Sequence, residues 1–194
     1  APDAGEARAV GARDAAPAAA ASPEGGRGGE APKALALECT VRPYCPDDGT
    51  SLFCLERVCF DQDDSLLRKW VAEAEAAQPD AFVDIAVSRS KSLLGYVAWA
   101  LEKYATARPC LKILSLAVAK HRRGNGLGEH LLRHVAARGR ERYGAADSIR
   151  LTVREDNAPA RRLYKRMGFR QVTVIRRKYK DCDGLDLELS LTSS

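Results

Sequence analysis

Chemistry in this 194-residue chain concentrates in three places. The first is Arg122-Arg123-Gly124-Asn125-Gly126-Leu127-Gly128, where two guanidinium groups precede three closely spaced glycines. Glycines let a backbone approach a ligand closely, and the first N–H groups of a helix have no partner within it. Such groups at the positive end of a helix, beside two arginines, suit a phosphate. The competing reading is a tight turn whose glycines serve geometry alone. Two familiar phosphate loops are excluded: no Lys-Ser or Lys-Thr pair follows the glycines, and the order G-x-G-x-x-G is absent. The second place is Tyr164, a phenol at helical spacing among apolar residues, which by spacing alone reads as an ordinary core aromatic. The third is His130 and His134, one helical turn apart, which could begin a metal site. Neither a third ligand nor the order H-E-x-x-H accompanies them, so no metal is expected.

The elements that must position these groups follow from hydrophobic spacing. Residues 111–119 form an apolar run that reads as a strand. Residues 129–143 read as a helix, with Leu127, Leu131 and Val135 on one face and Leu132 and Ala136 beside them. The glycines therefore occupy a strand-to-helix turn. A second helix opens at Asn157, a good N-cap. Pro159 is tolerated in its first turn, and Gly168 is placed to end it. Ala160, Leu163, Tyr164 and Met167 line its inner face.

Upstream, residues 37–42 read as a strand ended by Pro43. Asp47 or Asp48 is placed to cap a helix with Leu52, Leu55 and Val58 inward. Ser65 is placed to cap another, with Leu66, Leu67, Trp70, Val71 and Ala74 inward, ending before Pro79. Residues 82–87 and 93–101 read as a hairpin joined by the polar link 88–92. Residues 149–154 alternate as a strand, and strands at 170–177 and 185–191 close the chain. The expectation is an α/β fold, a mixed sheet of about seven strands with four helices.

Composition bounds the rest. Residues 1–34 are mostly Ala, Gly and Pro, with Val10 the sole large apolar side chain. Such a segment buries too little surface to offset its chain entropy, so a disordered tail is expected before a single domain at 35–194. The tail lacks the apolar core of a signal peptide, and Asp3, Glu6, Asp14, Glu24 and Glu30 argue against a transit peptide. No stretch approaches the roughly 18 apolar residues of a membrane span. Net charge is +5, from 31 Lys and Arg against 26 Asp and Glu. That favours an anionic ligand and gives no reason to expect DNA. Six cysteines without a C-x-x-C pair imply free thiols in a reducing compartment such as the cytoplasm.

Two motifs together resemble the GNAT superfamily of acetyl-CoA-dependent N-acetyltransferases. One is Arg123-x-x-Gly126-x-Gly128 after a central strand. The other, about 30 residues later, is Asn157-x-x-Ala160-x-x-Leu163-Tyr164-x-x-x-Gly168-Phe169. Cys59-Phe60, the run Arg176-Arg177-Lys178-Tyr179 and Asp183-Gly184 look most like the protein N-terminal α-amino acetyltransferases, including the bacterial type that acetylates a ribosomal-protein alanine. The resemblance implies a GNAT fold whose sheet is mostly antiparallel. It also implies acetyl-CoA as cosubstrate, a protein or peptide N-terminus as acceptor, and association with the ribosome if that acceptor is ribosomal. By the same resemblance, backbone groups of Leu116, Ala117 and Val118 pair with the pantetheine arm. Arg123, Gly124, Asn125, Gly126, Leu127 and Gly128 surround the pyrophosphate. Asn157 contacts the cofactor arm, Tyr164 protonates the departing thiolate, and Tyr179 lies at the acceptor groove. The patch Arg161, Arg162, Lys165 and Arg166 is a solvated helix face or a contact for the 3′-phosphate or for rRNA.

One position departs from the pattern. Thr152 stands where such relatives often carry a Glu or His base, and threonine cannot fill that role. Glu155 and Asp156 are nearby but read as solvated loop acids. An α-amine has a pKa of about 8 against about 10.4 for lysine, a gap worth roughly 3.4 kcal/mol. An enzyme without a strong base therefore suits α-amines better, with water relayed to a backbone carbonyl taking the last proton. Lysine or small-amine transfer is the alternative within the class. A catalytically weak acyl-CoA-binding module is the alternative outside it.

Overall fold

A computed structural model of the chain describes residues 38–60, 65–75, 81–104, 107–143 and 146–191. The tail expected at 1–34 lies outside them, as does the start of the first expected strand. The elements are β1 (Cys39–Pro43), α1 (Gly49–Phe60), α2 (Ser65–Ala74), β2 (Ala81–Ser88), β3 (Leu93–Tyr104) and β4 (Ala107–Val118). Then follow α3 (Leu127–Tyr143), β5 (Ser148–Arg154), α4 (Ala158–Met167), β6 (Arg170–Ile175) and β7 (Gly184–Ser190). Single 3-10 turns at Pro46–Asp48 and Lys120–Arg122 lead into α1 and toward α3. The strands form one sheet in the order β1-β2-β3-β4-β5-β7-β6. Only β4 and β5 run parallel, and α3 connects them. The expected α/β class, seven strands and four helices are all present.

Strand alternation divides the core into two layers. Phe82 and Ala86 of β2, Trp99 of β3 and Leu111 of β4 face α3 and α4, where they meet Leu127, Leu131, Leu132 and Val135. Val83 and Ile85 of β2, and Tyr96 and Ala98 of β3, face α1 and α2, where they meet Leu52, Leu67, Trp70 and Val71. The inward face of α1 is Leu52, Glu56 and Cys59. Val58, expected inward, is 61% exposed. A helical stripe fixed by Leu52 admits i+4 and i+7, which are Glu56 and Cys59, and the charge of Glu56 hid that phase. Asp48 does not cap α1 directly. It ends the preceding turn, accepting from the Cys45 N–H at 2.9 Å and from Arg42 at 2.7 Å.

Two buried polar groups pin the layers. Under α3, the fully buried Asp84 accepts from Trp99 Nε1 at 2.7 Å and from Arg138, with His134 Nε2 3.7 Å away. Under α1, Tyr96 donates to Glu56 and lies 2.8 Å from Ser115 Oγ. Burial, and then the Glu56 charge, push the Tyr96 phenol well above its ordinary pKa. A buried carboxylate left without such donors would be strongly destabilising, so these contacts fix where α1 and α3 sit.

The feature that matters for function is a break in the central pairing. β4 meets β5 only at Cys110–Ser148, Leu111–Ile149 and Lys112–Arg150. Just beyond, the β3 register shifts: Trp99 pairs with Ile113 and Ala98 with Ser115. Leu114 is thus the extra residue of a β-bulge. It joins the α1–α2 layer while its neighbour Ser115 bonds Tyr96 on that same side. Bulges bend a strand and increase its twist, which carries the end of β4 away from β5.

Past the bulge, β3 and β4 approach so closely that a Cβ on Gly95 would lie 2.7 Å from the Ala117 carbonyl oxygen. Gly95→Val should therefore push the strands apart and lower stability by about 1–3 kcal/mol, the usual cost of overpacking. Urea denaturation checks this, and a variant as stable as the parent would refute it.

Candidate active site

The sequence-selected residues lie around the opening left where β4 and β5 part. Ala119 N–H donates to the Leu94 carbonyl at 2.8 Å, and the register pairs Ala117 with Tyr96. By strand alternation, the polar backbone groups of Ala117 face β3. Those of Leu116 and Val118 turn toward the opening, where β5 supplies no ladder partner. The Val118 carbonyl accepts from Arg123 Nε at 2.9 Å and, more distantly, from the Cys59 thiol at 3.8 Å. Arg123 Nη2 is 3.5 Å from Cys59 Sγ. Burial pushes the Cys59 thiol up despite that guanidinium.

The three glycines turn out to serve different ends. Gly124 and Gly126 have φ of 80° and 81°, in the left-handed region, and a Cβ on either would point into open space. Asn125 between them is exposed. Gly128 is different: a Cβ there would lie 3.0 Å from Leu163, so it lets α3 and α4 pack closely. The helical bonding of α3 starts with the His130 N–H donating to Gly126 at 3.0 Å. The N–H groups of Leu127, Gly128 and Glu129 precede it and have no acceptor within the helix.

On α4, the Asn157 side chain accepts from the Ala160 N–H at 3.2 Å, and Gly168 closes the helix at φ 94°. Tyr164 is 1% exposed and its ring centroid lies 5.4 Å from that of Phe169. Arg161, Arg162 and Lys165 are on another face of α4. They border a pocket of about 440 Å³ floored by Phe169, Leu185 and Leu187. Among the described residues no group of three metal-binding side chains occurs. His130 is exposed, and His134 is directed at Asp84.

The opposite face is polar where Lys112 of β4, Thr152 of β5 and Asp186 of β7 lie side by side. Leu151 and Val153 of β5 and Leu185 and Leu187 of β7 pack against the α3–α4 side, so Thr152 and Asp186 point the other way. The two are register partners, and Thr152 Oγ1 donates to Asp186 Oδ1 at 3.4 Å. Lys112 Nζ approaches the same oxygen at 4.0 Å. Farther along, Arg150 donates to Glu188 at 3.0 Å and holds its carboxyl below the usual range. Burial, with the Glu102 charge second, pushes the Cys110 thiol up to about 11.

Glu155 and Asp156, the acids nearest Thr152 in sequence, are expected as solvated loop acids. Asp156 is bound to Arg154 at 2.9 and 2.8 Å, and Glu155 is exposed. Asp186 and Lys112 were missed. The alternation Leu185-Asp186-Leu187-Glu188-Leu189 signals which way Asp186 points, but only the β5–β7 register brings it to Thr152.

A loop from β6 to β7 covers this corner. Gly184 is required where it begins β7, since a Cβ there would lie 2.9 Å from Lys178 and 3.0 Å from Thr152. Arg154 bridges to Asp181 at 2.6 Å and lies 5.2 Å from the centre of the Tyr179 ring. Asp183 binds Arg176 at 2.6 Å and the Arg177 N–H at 2.8 Å. Tyr179 is thus held beside Arg154, two residues along β5 from Thr152, with its phenol oxygen buried. The arrangement offers a slot between β4 and β5 with amide donors at its turn end, while Tyr164 belongs to the buried cluster on the α3–α4 side of the sheet. Its polar mouth contains Lys112, Thr152 and Asp186.

Residues 50–169 match the model of the acetyltransferase (GNAT) family. The chain belongs to that family. It is 37% identical over 124 residues to the streptothricin acetyltransferase of Streptomyces lavendulae, covering 64% of this chain and 54% of that one. It is 39% identical over 69 residues to an N-alpha-acetyltransferase of Sulfurisphaera tokodaii, covering 36% and 41%. The chain thus spans about half the length of these relatives, or less. Among solved structures, Arabidopsis thaliana Naa50 with the bisubstrate analogue CoA-Ac-MVNAL matches with a TM-score of 0.64 at 25% identity. That match covers 80% of this chain and all of Naa50.

The glycine turn is open to test with acetyl-CoA. A ligand that binds only the folded state raises the melting temperature. Gly126→Val puts a β-branched residue at a positive φ and should abolish the rise given by acetyl-CoA. An undiminished rise would show that the turn does not hold the phosphates.

Proposed function

We propose that this protein transfers the acetyl group of acetyl-CoA to the α-amine at the N-terminus of a protein or peptide. The observation that carries the reading is the slot itself. The turn at Gly124 and Gly126 follows β4 at one end of it, Thr152 lies on β5 at its mouth, and in this reading Tyr164 reaches it from α4. In this reading Leu116 and Val118 meet the pantetheine arm through their backbone groups. The turn from Arg123 to Gly128 meets the pyrophosphate, and Asn157 anchors the helix beside the arm.

The amine attacks the thioester directly. Cys59 and Cys110, the two buried thiols, have pKa values raised by burial, which leaves them protonated and weakly nucleophilic at neutral pH. An acyl-cysteine intermediate is therefore unsupported. The Sulfurisphaera and Naa50 relatives favour a peptide acceptor, and in this reading the loop that carries Tyr179 borders its groove.

The streptothricin acetyltransferase relative, matched over the longer stretch, supports a second reading in which a small-molecule amine is the acceptor. A panel of acceptors separates the two: peptides with free N-termini, the same peptides N-terminally blocked but containing lysine, and streptothricin. Free N-termini should be acetylated and blocking should remove most of the activity. Faster turnover of streptothricin than of every peptide would move the protein to the second reading.

Tyr164 is the proposed proton donor to the departing thiolate. Its reference pKa of about 10 exceeds that of a thiol, about 8.5, so full transfer is uphill by roughly 2 kcal/mol. A hydrogen bond to sulfur still helps as charge develops. Tyr164→Phe keeps the ring packed on Phe169, and kcat should fall by about 10²-fold. The KM for acetyl-CoA should change little, because the interaction matters in the transition state. A Phe variant with parental kcat, measured where chemistry limits turnover, would make the tyrosine structural.

A further inference from the structure

We propose that the Asp186 carboxylate takes the proton that the acceptor amine loses on attacking the thioester, with Thr152 and Lys112 positioning it. The inference rests on the transferase reading above but not on which amine is the acceptor. Asp186 lies on β7, directly across from Thr152, at the edge of the opening that starts past Lys112 and Arg150. Its two contacts, Thr152 at 3.4 Å and Lys112 at 4.0 Å, both fall on Oδ1. Among the described residues none falls on Oδ2. The side chain is 13% exposed, enough for a substrate group to reach it from the polar mouth.

Among the described residues, most other acids around the mouth are occupied. Glu188 is bound by Arg150, Asp156 and Asp181 by Arg154, and Asp183 by Arg176 and the Arg177 N–H. Glu155 lies out on the exposed loop after β5. Asp186 combines a sheltered place beside Thr152 with an oxygen to spare.

The chemistry is consistent with a weak base. A carboxylate with a reference pKa of about 3.9 cannot strip an ammonium of about 8 at rest. It therefore acts on an amine that has already lost its first proton to solvent. The nitrogen lone pair forms the N–C bond to the acetyl carbon, and the carbonyl π pair moves onto oxygen. The nitrogen, now positive and strongly acidic, passes a proton to Asp186 Oδ2. The C=O bond reforms, the C–S bond breaks, and its electron pair leaves on sulfur, where the Tyr164 proton meets it. Asp186 returns its proton to solvent and Tyr164 regains one. The products are one amide and one thiol. Thr152 and Lys112, both on Oδ1, hold the carboxylate so that Oδ2 faces the nucleophile.

The test uses the acceptor that the parent protein turns over best in the panel above. Asp186→Asn keeps size and the Thr152 contact, and kcat should fall by about 10²-fold with the acetyl-CoA thermal shift unchanged. Asp186→Ala should fall similarly, and added sodium formate should restore part of its rate without affecting the parent. A purely structural carboxylate would give no such rescue. If the role of Asp186 were only to neutralise Lys112, Lys112→Met would restore Asp186→Asn, which would overturn the proposal. So would parental kcat in Asp186→Asn, or a loss that formate leaves untouched. If streptothricin proves the better acceptor, the α-amine reading falls while the Asp186 effect is still read on that amine.

Discussion

Two parallel strands that pair for three residues and then part determine most of what this protein can do. A parallel ladder interrupted mid-sheet leaves polar backbone groups exposed in the middle of a domain, which is unfavourable unless something else satisfies them. Here the cause is local: the extra residue Leu114 puts two successive side chains on the α1 side and turns β4 away from β5. The opening is therefore a designed feature of the sheet. The residues proposed for the chemistry are drawn from its surroundings. Arg123 and the glycine turn are at one end, Tyr164 is on one face, and Thr152 and Asp186 are on the other.

The opening needs rigid walls, and the buried charges supply them. Asp84 on β2 beneath α3 is met by donors from the sheet and from α3, and Glu56 on the inner face of α1 is met by Tyr96 of the sheet. Buried ionic groups rarely add much net stability, but a helix shifted from its place would strand a charge. Both helices that frame the slot are consequently fixed in register, α3 with its N-terminus at the turn and α1 with Cys59 beside Arg123.

Much of this was legible in the sequence, for identifiable reasons. The α4 helix was read from end to end because its signals are local: Asn157 as cap, Pro159 in the first turn, Gly168 at the αL terminus. The glycine turn was found for the same reason, although Gly128 serves helix packing and not backbone conformation. What stayed hidden depends on long-range register. Val58 was placed inward because a charged residue, Glu56, occupies the true phase of α1. Asp186 was passed over because it becomes a neighbour of Thr152 only when β7 inserts between β5 and β6. The bulge at Leu114 leaves no mark in an apolar run.

Arg123 joins two parts of this arrangement. Its Nε donates to the Val118 carbonyl at the end of β4, and its Nη2 lies against the Cys59 sulfur of α1. A guanidinium carries five N–H donors, so one side chain can hold several partners at once. The free end of the splayed strand is thereby tied both to the turn that follows it and to the helix on the other side of the sheet, and a displacement of any one of the three is felt by the others.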